Sequence, residues 1–175
     1  VGKRMRTKER PKQFLEIGNK PIIIYTLEFF ENNDEIDAVV ISCVEEWIPY
    51  LKTLLYKYRI EKVKKIVPGG ETGQISIYHG LLAAKEIAGN EKTIVLIHDG
   101  VRPLINSKLL SDNIACVIEN GSAITSGIVK ETIVVVDEKN KVELVPTREK
   151  SRVAKAPQSF WLDEILEAHQ RALEE

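Results

Sequence analysis

Asp99 and Arg102 put a carboxylate and a guanidinium three residues apart in His98-Asp99-Gly100-Val101-Arg102-Pro103, directly after the apolar run Ile94-Val95-Leu96-Ile97. That run reads as a strand buried on both faces, which Gly100 and Pro103 end in a sharp turn with no immediate helix. In open parallel sheets, strand C-termini are where loops diverge and ligands bind. Two readings stay open here: a ligand site at a strand tip, or an Asp99–Arg102 ion pair closing the turn. A second group is the basic opening run, where six of the first twelve residues are Lys or Arg, among them Arg4 and Lys12, beside Gly2. The third is the turn Pro68-Gly69-Gly70. Glycines let backbone N–H groups approach phosphate oxygens, while Lys and Arg supply the charge needed where a phosphoryl centre is attacked. The three groups suit phosphate chemistry if one sheet edge gathers them.

Other chemistries are poorly provided for. No Walker A run, dinucleotide fingerprint or G-x-S-x-G elbow is present. Cys43 and Cys116 stand far apart without Cys or His partners at metal spacing, so both read as small core residues of a reducing compartment. His79 and His169 read as structural, and His98 beside Asp99 makes no metal site by adjacency alone. With 25 basic and 26 acidic residues the formal net charge is −1. No global field therefore favours nucleic acid or an anionic membrane, and phosphate must be held by local groups. No apolar run approaches the ~18 residues needed to span a bilayer, and the cytoplasm is the expected location.

The chain of 175 residues reads as a single domain, 1–175. After the basic loop, Ile22 to Phe30 reads as a mostly buried helix behind the turn Gly18-Asn19-Lys20-Pro21. Ala38 to Val44 is a short β-branched strand. Trp47, Ile48, Leu51, Leu54, Leu55 and Tyr58 recur at helical spacing, with Pro49 in the first turn. Lys65-Ile66-Val67 is a further strand, and Thr72 to Ala88 a helix. Ser107 to Glu119 forms another helix, ended by Asn120-Gly121, and Ala123 to Val129 is a strand. Thr132 to Val136 pairs with Lys141 to Val145 as a projecting antiparallel hairpin. Pro157 to Trp161 leads into a last helix, Leu162 to Glu174. This alternation predicts an α/β fold, a doubly wound and mostly parallel sheet. The chain begins in a loop and ends in a helix, so it reads as a domain truncated at both ends.

Several segments taken together, in order and spacing, resemble the cytidylyltransferases that act on polyol phosphates. They are Gly2-Lys3-Arg4-Met5, Pro11-Lys12-Gln13-Phe14-Leu15, Gly69-Gly70 with Ser76 after it, His98 to Pro103, Thr132 and Ala156-Pro157-Gln158. The resemblance implies a Rossmann-like nucleotidyltransferase fold. It implies transfer of CMP from CTP, with Mg²⁺ on the triphosphate, to D-ribitol 5-phosphate or 2-C-methyl-D-erythritol 4-phosphate, with release of pyrophosphate. Arg4 and Lys12 match the family's catalytic basic pair, and Gly2 the end of its glycine-rich nucleotide loop. Gly70, Glu71 and Ser76 fall where the family reads cytosine. Asp99, Arg102 and Thr132 fall at polyol-phosphate positions, with Arg148 where an arm reaches the neighbouring subunit's site. The arm, 130–150, would make a homodimer and cover the hairpin's Val-rich strands. Metal ligands are not assigned by the motifs. Two positions depart from the pattern: Gly73 where Arg is common, and Ala156 where Thr precedes Pro-Gln. The acceptor leans slightly to the ribitol type. A noncatalytic nucleotide-binding or assembly module is the competing expectation.

Overall fold

The computed structural model describes residues 10–174, so Gly2 and Arg4 lie outside the described residues. A 3-10 turn at Lys12–Phe14 and two short paired strands, β1 (Glu16–Ile17) and β2 (Lys20–Pro21), lead into helix α1 (Ile22–Glu31). Strand β3 (Val39–Cys43) is followed by a 3-10 turn, Glu45–Trp47, that runs into α2 (Ile48–Lys57), with Pro49 in the first helical turn, where no N–H is missed. Strand β4 (Val63–Pro68) precedes α3 (Gly73–Ala88), which is capped by the Thr72 hydroxyl accepting from the Ile75 N–H at 3.2 Å. Strand β5 (Ile94–Ile97) leads through the Asp99 turn to α4 (Ser107–Asn120). Asn106 caps α4 at 2.9 Å, and Gly121 ends it with φ +86°, a conformation that suits glycine. Strand β6 (Ser122–Ile128), the hairpin strands β7 (Val135–Val136) and β8 (Val142–Leu144), the long strand β9 (Arg152–Trp161) and helix α5 (Leu162–Glu174) complete the described chain.

Helices cover both faces of the strands. On β5, Val95 and Ile97 pack against Leu81, Leu162 and Leu166 of α3 and α5, while Leu96 packs against Phe30 and Leu110 of α1 and α4. The strand is covered on two sides, as its unbroken apolar run requires. On β3, Val39, Ile41 and Cys43 join the core formed by Ile23, Ile24, Leu27, Leu51 and Leu54, and Ser42 faces α3. Alternate side chains of one strand thus serve two helical layers, the doubly wound arrangement. Strands β3 and β4 pair in parallel, so Cys43 and Pro68 end at the same edge.

Strand β9 is the element the sequence pattern did not announce. It lies between β5 and β6 and runs antiparallel to both. Its centre contains Pro157, a residue normally excluded from central strands. The register explains the tolerance: β5 pairing stops at Ile97↔Gln158, and β6 pairing passes from Ile124↔Gln158 to Ser126↔Ala154. Pro157 therefore sits in the irregular interval, where no ladder bond needs its missing N–H. Beyond that interval, Ser126–Ile128 and Arg152–Ala154 stay paired, with Ser126, Ile128 and Arg152 to Ala154 exposed, and lead into the hairpin. The arm is thus rooted a few residues outside 130–150 on both sides.

Candidate active site

The loop after β4 is held by its own hydrogen bonds. Gly70 N–H donates to the Ser76 hydroxyl at 2.9 Å, and that hydroxyl donates to the Thr72 carbonyl at 2.9 Å. Ser76 has therefore used its one proton and one lone pair, and a lone pair remains to accept from a ligand N–H. Gly70 must be glycine for a steric reason: a Cβ there would lie 2.2 Å from Ile75 Cγ2. The loop is tied to the sheet by Gly69 N–H donating to the Cys43 carbonyl at 2.7 Å and by Ser42 Oγ donating to the Ser76 carbonyl at 2.6 Å. His79 Nδ1 lies 3.0 Å from the Pro68 carbonyl, so this nitrogen carries the proton. Glu71 is exposed at the loop's tip.

Lys12 stands on the 3-10 turn that ends in Phe14, whose ring is fully buried in the core that contains Cys43. Phe14 also stacks on Trp47, four residues past Cys43, so the basic turn and the Gly69–Gly70 loop are anchored at the same end of β3. Among the described residues no carboxylate forms a salt bridge with Lys12, which leaves its ammonium to an incoming anion. Burial pushes the thiol of Cys43 upward in pKa, so it serves as a core residue and not as a nucleophile.

At the end of β5, Arg102 Nε donates to Asp99 Oδ2 at 2.5 Å, and both side chains are exposed. The local ion pair is therefore real. It still leaves one carboxylate oxygen and the terminal guanidinium nitrogens open to solvent. The turn is fixed from three sides: Arg102 N–H donates to the Asp99 carbonyl at 3.0 Å, Thr26 Oγ1 donates to the Gly100 carbonyl at 3.0 Å, and His98 Nε2 donates to the Arg102 carbonyl at 2.9 Å. Ile23, one turn before Thr26, packs in the Phe14 core and also approaches Gly100. Helix α1 thus stands between the Lys12 turn and the Asp99 turn and spaces them.

Thr132 and Arg148 meet at the root of the arm, where Arg148 Nη2 donates to Thr132 Oγ1 at 3.1 Å. Among the described residues no hydrogen bond or ion pair links this couple to Asp99 or Arg102. Sequence reasoning singled out the turns but missed the residues that hold them: Thr26, Ser42 and His79. Thr26 gave one usable signal, a hydroxyl on an otherwise apolar helix face between Ile23 and Leu27. Ser42 and His79 gave none, because their partners are backbone carbonyls distant in sequence. No group of three or more His, Cys, Asp or Glu able to hold a metal occurs among the described residues.

The family described as IspD, 2-C-methyl-D-erythritol 4-phosphate cytidylyltransferase, matches residues 1–175. A ribitol-5-phosphate cytidylyltransferase of Vibrio parahaemolyticus is 54% identical over 175 residues, covering 100% of this chain and 73% of the relative. A 2-C-methyl-D-erythritol 4-phosphate cytidylyltransferase of Clostridium botulinum is 39% identical over 170 residues, covering 97% of this chain and 72% of the relative. Among solved structures, 4-diphosphocytidyl-2C-methyl-D-erythritol synthase of Anaerococcus prevotii superposes with a TM-score of 0.80 at 25% identity, covering 91% of this chain and 68% of that one.

Proposed function

The chain belongs to the 2-C-methyl-D-erythritol 4-phosphate cytidylyltransferase family and is a nucleotidyltransferase, and from that premise we propose that it transfers CMP from CTP to D-ribitol 5-phosphate and releases pyrophosphate. The observation that carries this reading is the shared anchorage at β3. The Lys12 turn and the Gly69–Gly70 loop are tied to one strand end, as a site must be that holds a triphosphate and a base at once. The choice of ribitol over methylerythritol rests on the higher identity to the relative of that name.

In this reading an acceptor phosphate oxygen attacks the α-phosphorus of CTP in line. The new P–O bond forms as the bond to the bridging α–β oxygen breaks, and pyrophosphate leaves with that electron pair. Catalysis is then positioning plus charge stabilisation. Lys12, with Arg4, neutralises charge on the phosphoryl oxygens. The free lone pair of Ser76 accepts from the cytosine amino group, Gly70 and Glu71 border the base, and Gly2 belongs to the nucleotide-binding set. Asp99 takes acceptor hydroxyls, Arg102 its phosphate, Thr132 belongs with them to the polyol-phosphate set, and Arg148 reaches the neighbouring subunit's acceptor site. Magnesium enters with CTP as part of the substrate, consistent with phosphate-bound Mg²⁺ needing few protein ligands.

A pyrophosphate-release assay on the full-length protein with CTP, Mg²⁺ and each polyol phosphate tests this. The expected result is turnover with kcat/KM favouring D-ribitol 5-phosphate about tenfold or more. Lys12→Ala should lower kcat by on the order of 10²-fold, as loss of one transition-state donor does. CTP binding without pyrophosphate release would instead make the chain a nucleotide-binding module, and unchanged turnover in Lys12→Ala would remove that residue from the reaction.

A further inference from the structure

The turn that carries Lys12 is only three residues long, yet its last residue is one of the most deeply buried in the protein. Phe14 has 0% exposure, while Glu16 and Ile17 just beyond it are exposed. Its ring stacks on Trp47 at 5.2 Å with the planes 25° apart and meets Tyr50 edge-on at 5.3 Å. Trp47 and Tyr50 in turn meet edge-on at 5.9 Å. Three rings close on each other in the offset and T-shaped geometries that aromatic pairs favour. Two of the three come from the 3-10 turn before α2 and from α2's first turn, not from the basic segment.

Trp47 is itself held. Its backbone N–H donates to the Val44 carbonyl at 2.9 Å, and its indole Nε1–H donates to Glu46 Oε1 at 3.0 Å. Val44 directly follows Cys43, whose carbonyl accepts from Gly69 of the base loop. On the other side, Phe14 N–H donates to the Pro11 carbonyl at 3.0 Å and Leu15 N–H to the Lys12 carbonyl at 3.2 Å. With the Phe14 ring immobilised, the backbone of Lys12, two residues before it, is immobilised too. The last residues of β3 therefore fix the base loop on one side and, through Trp47, the basic turn on the other.

We propose that Trp47 is a positioning residue for Lys12: by clasping Phe14 together with Tyr50, it holds the ammonium at the phosphoryl centre. This rests on the cytidylyltransferase reading for the role of Lys12. Lys12 acts on charge that develops in the transition state, so displacing it lowers kcat more than it raises KM.

Two readouts on the full-length protein test the proposal. Trp47→Leu keeps apolar bulk and removes the stack; Trp47→Phe restores a stacking ring. In the absence of substrates, trypsin cleavage of the Lys12–Gln13 bond, followed by mass spectrometry well below the melting temperature, should be about fivefold or more faster in Trp47→Leu, because the turn opens more often. It should return towards the wild-type rate in Trp47→Phe. In the pyrophosphate assay Trp47→Leu should lose about tenfold in kcat with KM for CTP within about threefold, again rescued by Trp47→Phe. Tyr50→Leu replaces Trp47→Leu if the latter does not fold. Wild-type cleavage rates in the stack-deficient variant overturn the clasp, and so does an undiminished kcat. Faster cleavage in the variant, with a wild-type protein that releases no pyrophosphate, would uphold the clasp and overturn the proposed function instead.

Discussion

Beside the Asp99–Arg102 pair, His98 donates from Nε2 to the Arg102 carbonyl at 2.9 Å, and the remaining ring nitrogen, Nδ1, is buried without a hydrogen-bond partner. Protonation would place a proton on Nδ1 with no acceptor, in a ring packed edge-on against Phe30. Burial accordingly holds the His98 pKa below its ordinary value, the carbonyl of Arg102 and the charge of Asp99 opposing only in part. The sign follows from linkage. A histidine with a folded pKa below its unfolded value contributes stability fully present above the unfolded pKa of about 6.5 and lost as pH falls through the folded pKa. His169, packed on Tyr78, is shifted the same way by burial and adds to the trend. Thermal melts at about pH 7.5 and pH 5.5, either side of the unfolded histidine value, should show an acid loss of Tm that is smaller in His98→Gln. The Gln amide can donate to the same carbonyl and does not titrate. Equal losses in both proteins would show that His98 does not set the acid limit. Adjacency to Asp99 in sequence said nothing of this, because the consequence arises from a ring nitrogen buried by packing distant in sequence.

At the scale of elements, the strands and helices with strong local signals were legible. The apolar run of β5, the capped starts of α3 and α4, and the Gly121 stop all depend on neighbours in sequence. Strand β9 was not. Its first half is polar, it contains Pro157, and it is specified by partners distant in sequence, Ile94 to Ile97 and Ser122 to Ile128. What fixes it in place is a buried polar group. Ser159, with 0% exposure, donates to Asn113 Oδ1 at 3.0 Å, while Asn113 donates to the Leu109 carbonyl at 2.9 Å and to Thr125 Oγ1 at 3.1 Å. One side chain of α4 thereby engages both β6 and β9. Asn113→Leu strands the Ser159 hydroxyl in the core and should cost about 1–3 kcal/mol, whereas adding Ser159→Ala removes the stranded group and should recover part of that loss. Denaturant unfolding of the two single variants and the double variant measures the coupling. Additive losses would mean that the two side chains act independently in holding the strand.

For the whole molecule, an unexplained apolar surface lies on the β7–β8 hairpin. Val135, Val136, Val142, Leu144 and Ile128 are exposed, and the β7–β8 unit has only two strands, too few to bury its own side chains. Exposed apolar side chains on an open strand pair favour a cover. The sequence made the hairpin legible through its Val-rich runs around Asp137 to Asn140, but the paired strands are shorter than Thr132 to Val136 and Lys141 to Val145, and it did not show that β6 and β9 extend as the hairpin's stem. The same arm carries Thr132 and Arg148, which bond to each other and, among the described residues, make no hydrogen bond or ion pair with the Asp99 turn. A second copy whose arm lies over this chain would account for both observations, covering the valines and delivering Arg148 to the partner's acceptor turn. Val142→Thr combined with Leu144→Thr keeps strand-forming residues while removing apolar surface. Sedimentation at micromolar concentration should show a wild-type dimer and a double variant shifted to monomer, and the Tm should depend on concentration only in the wild type. If the arm also serves catalysis, the monomerised variant should show a raised KM for the polyol phosphate with KM for CTP little changed, because the base loop and Lys12 belong to one chain. A wild-type monomer, or a monomerised variant with an unchanged polyol-phosphate KM, would confine the acceptor site to the Asp99 turn of a single chain.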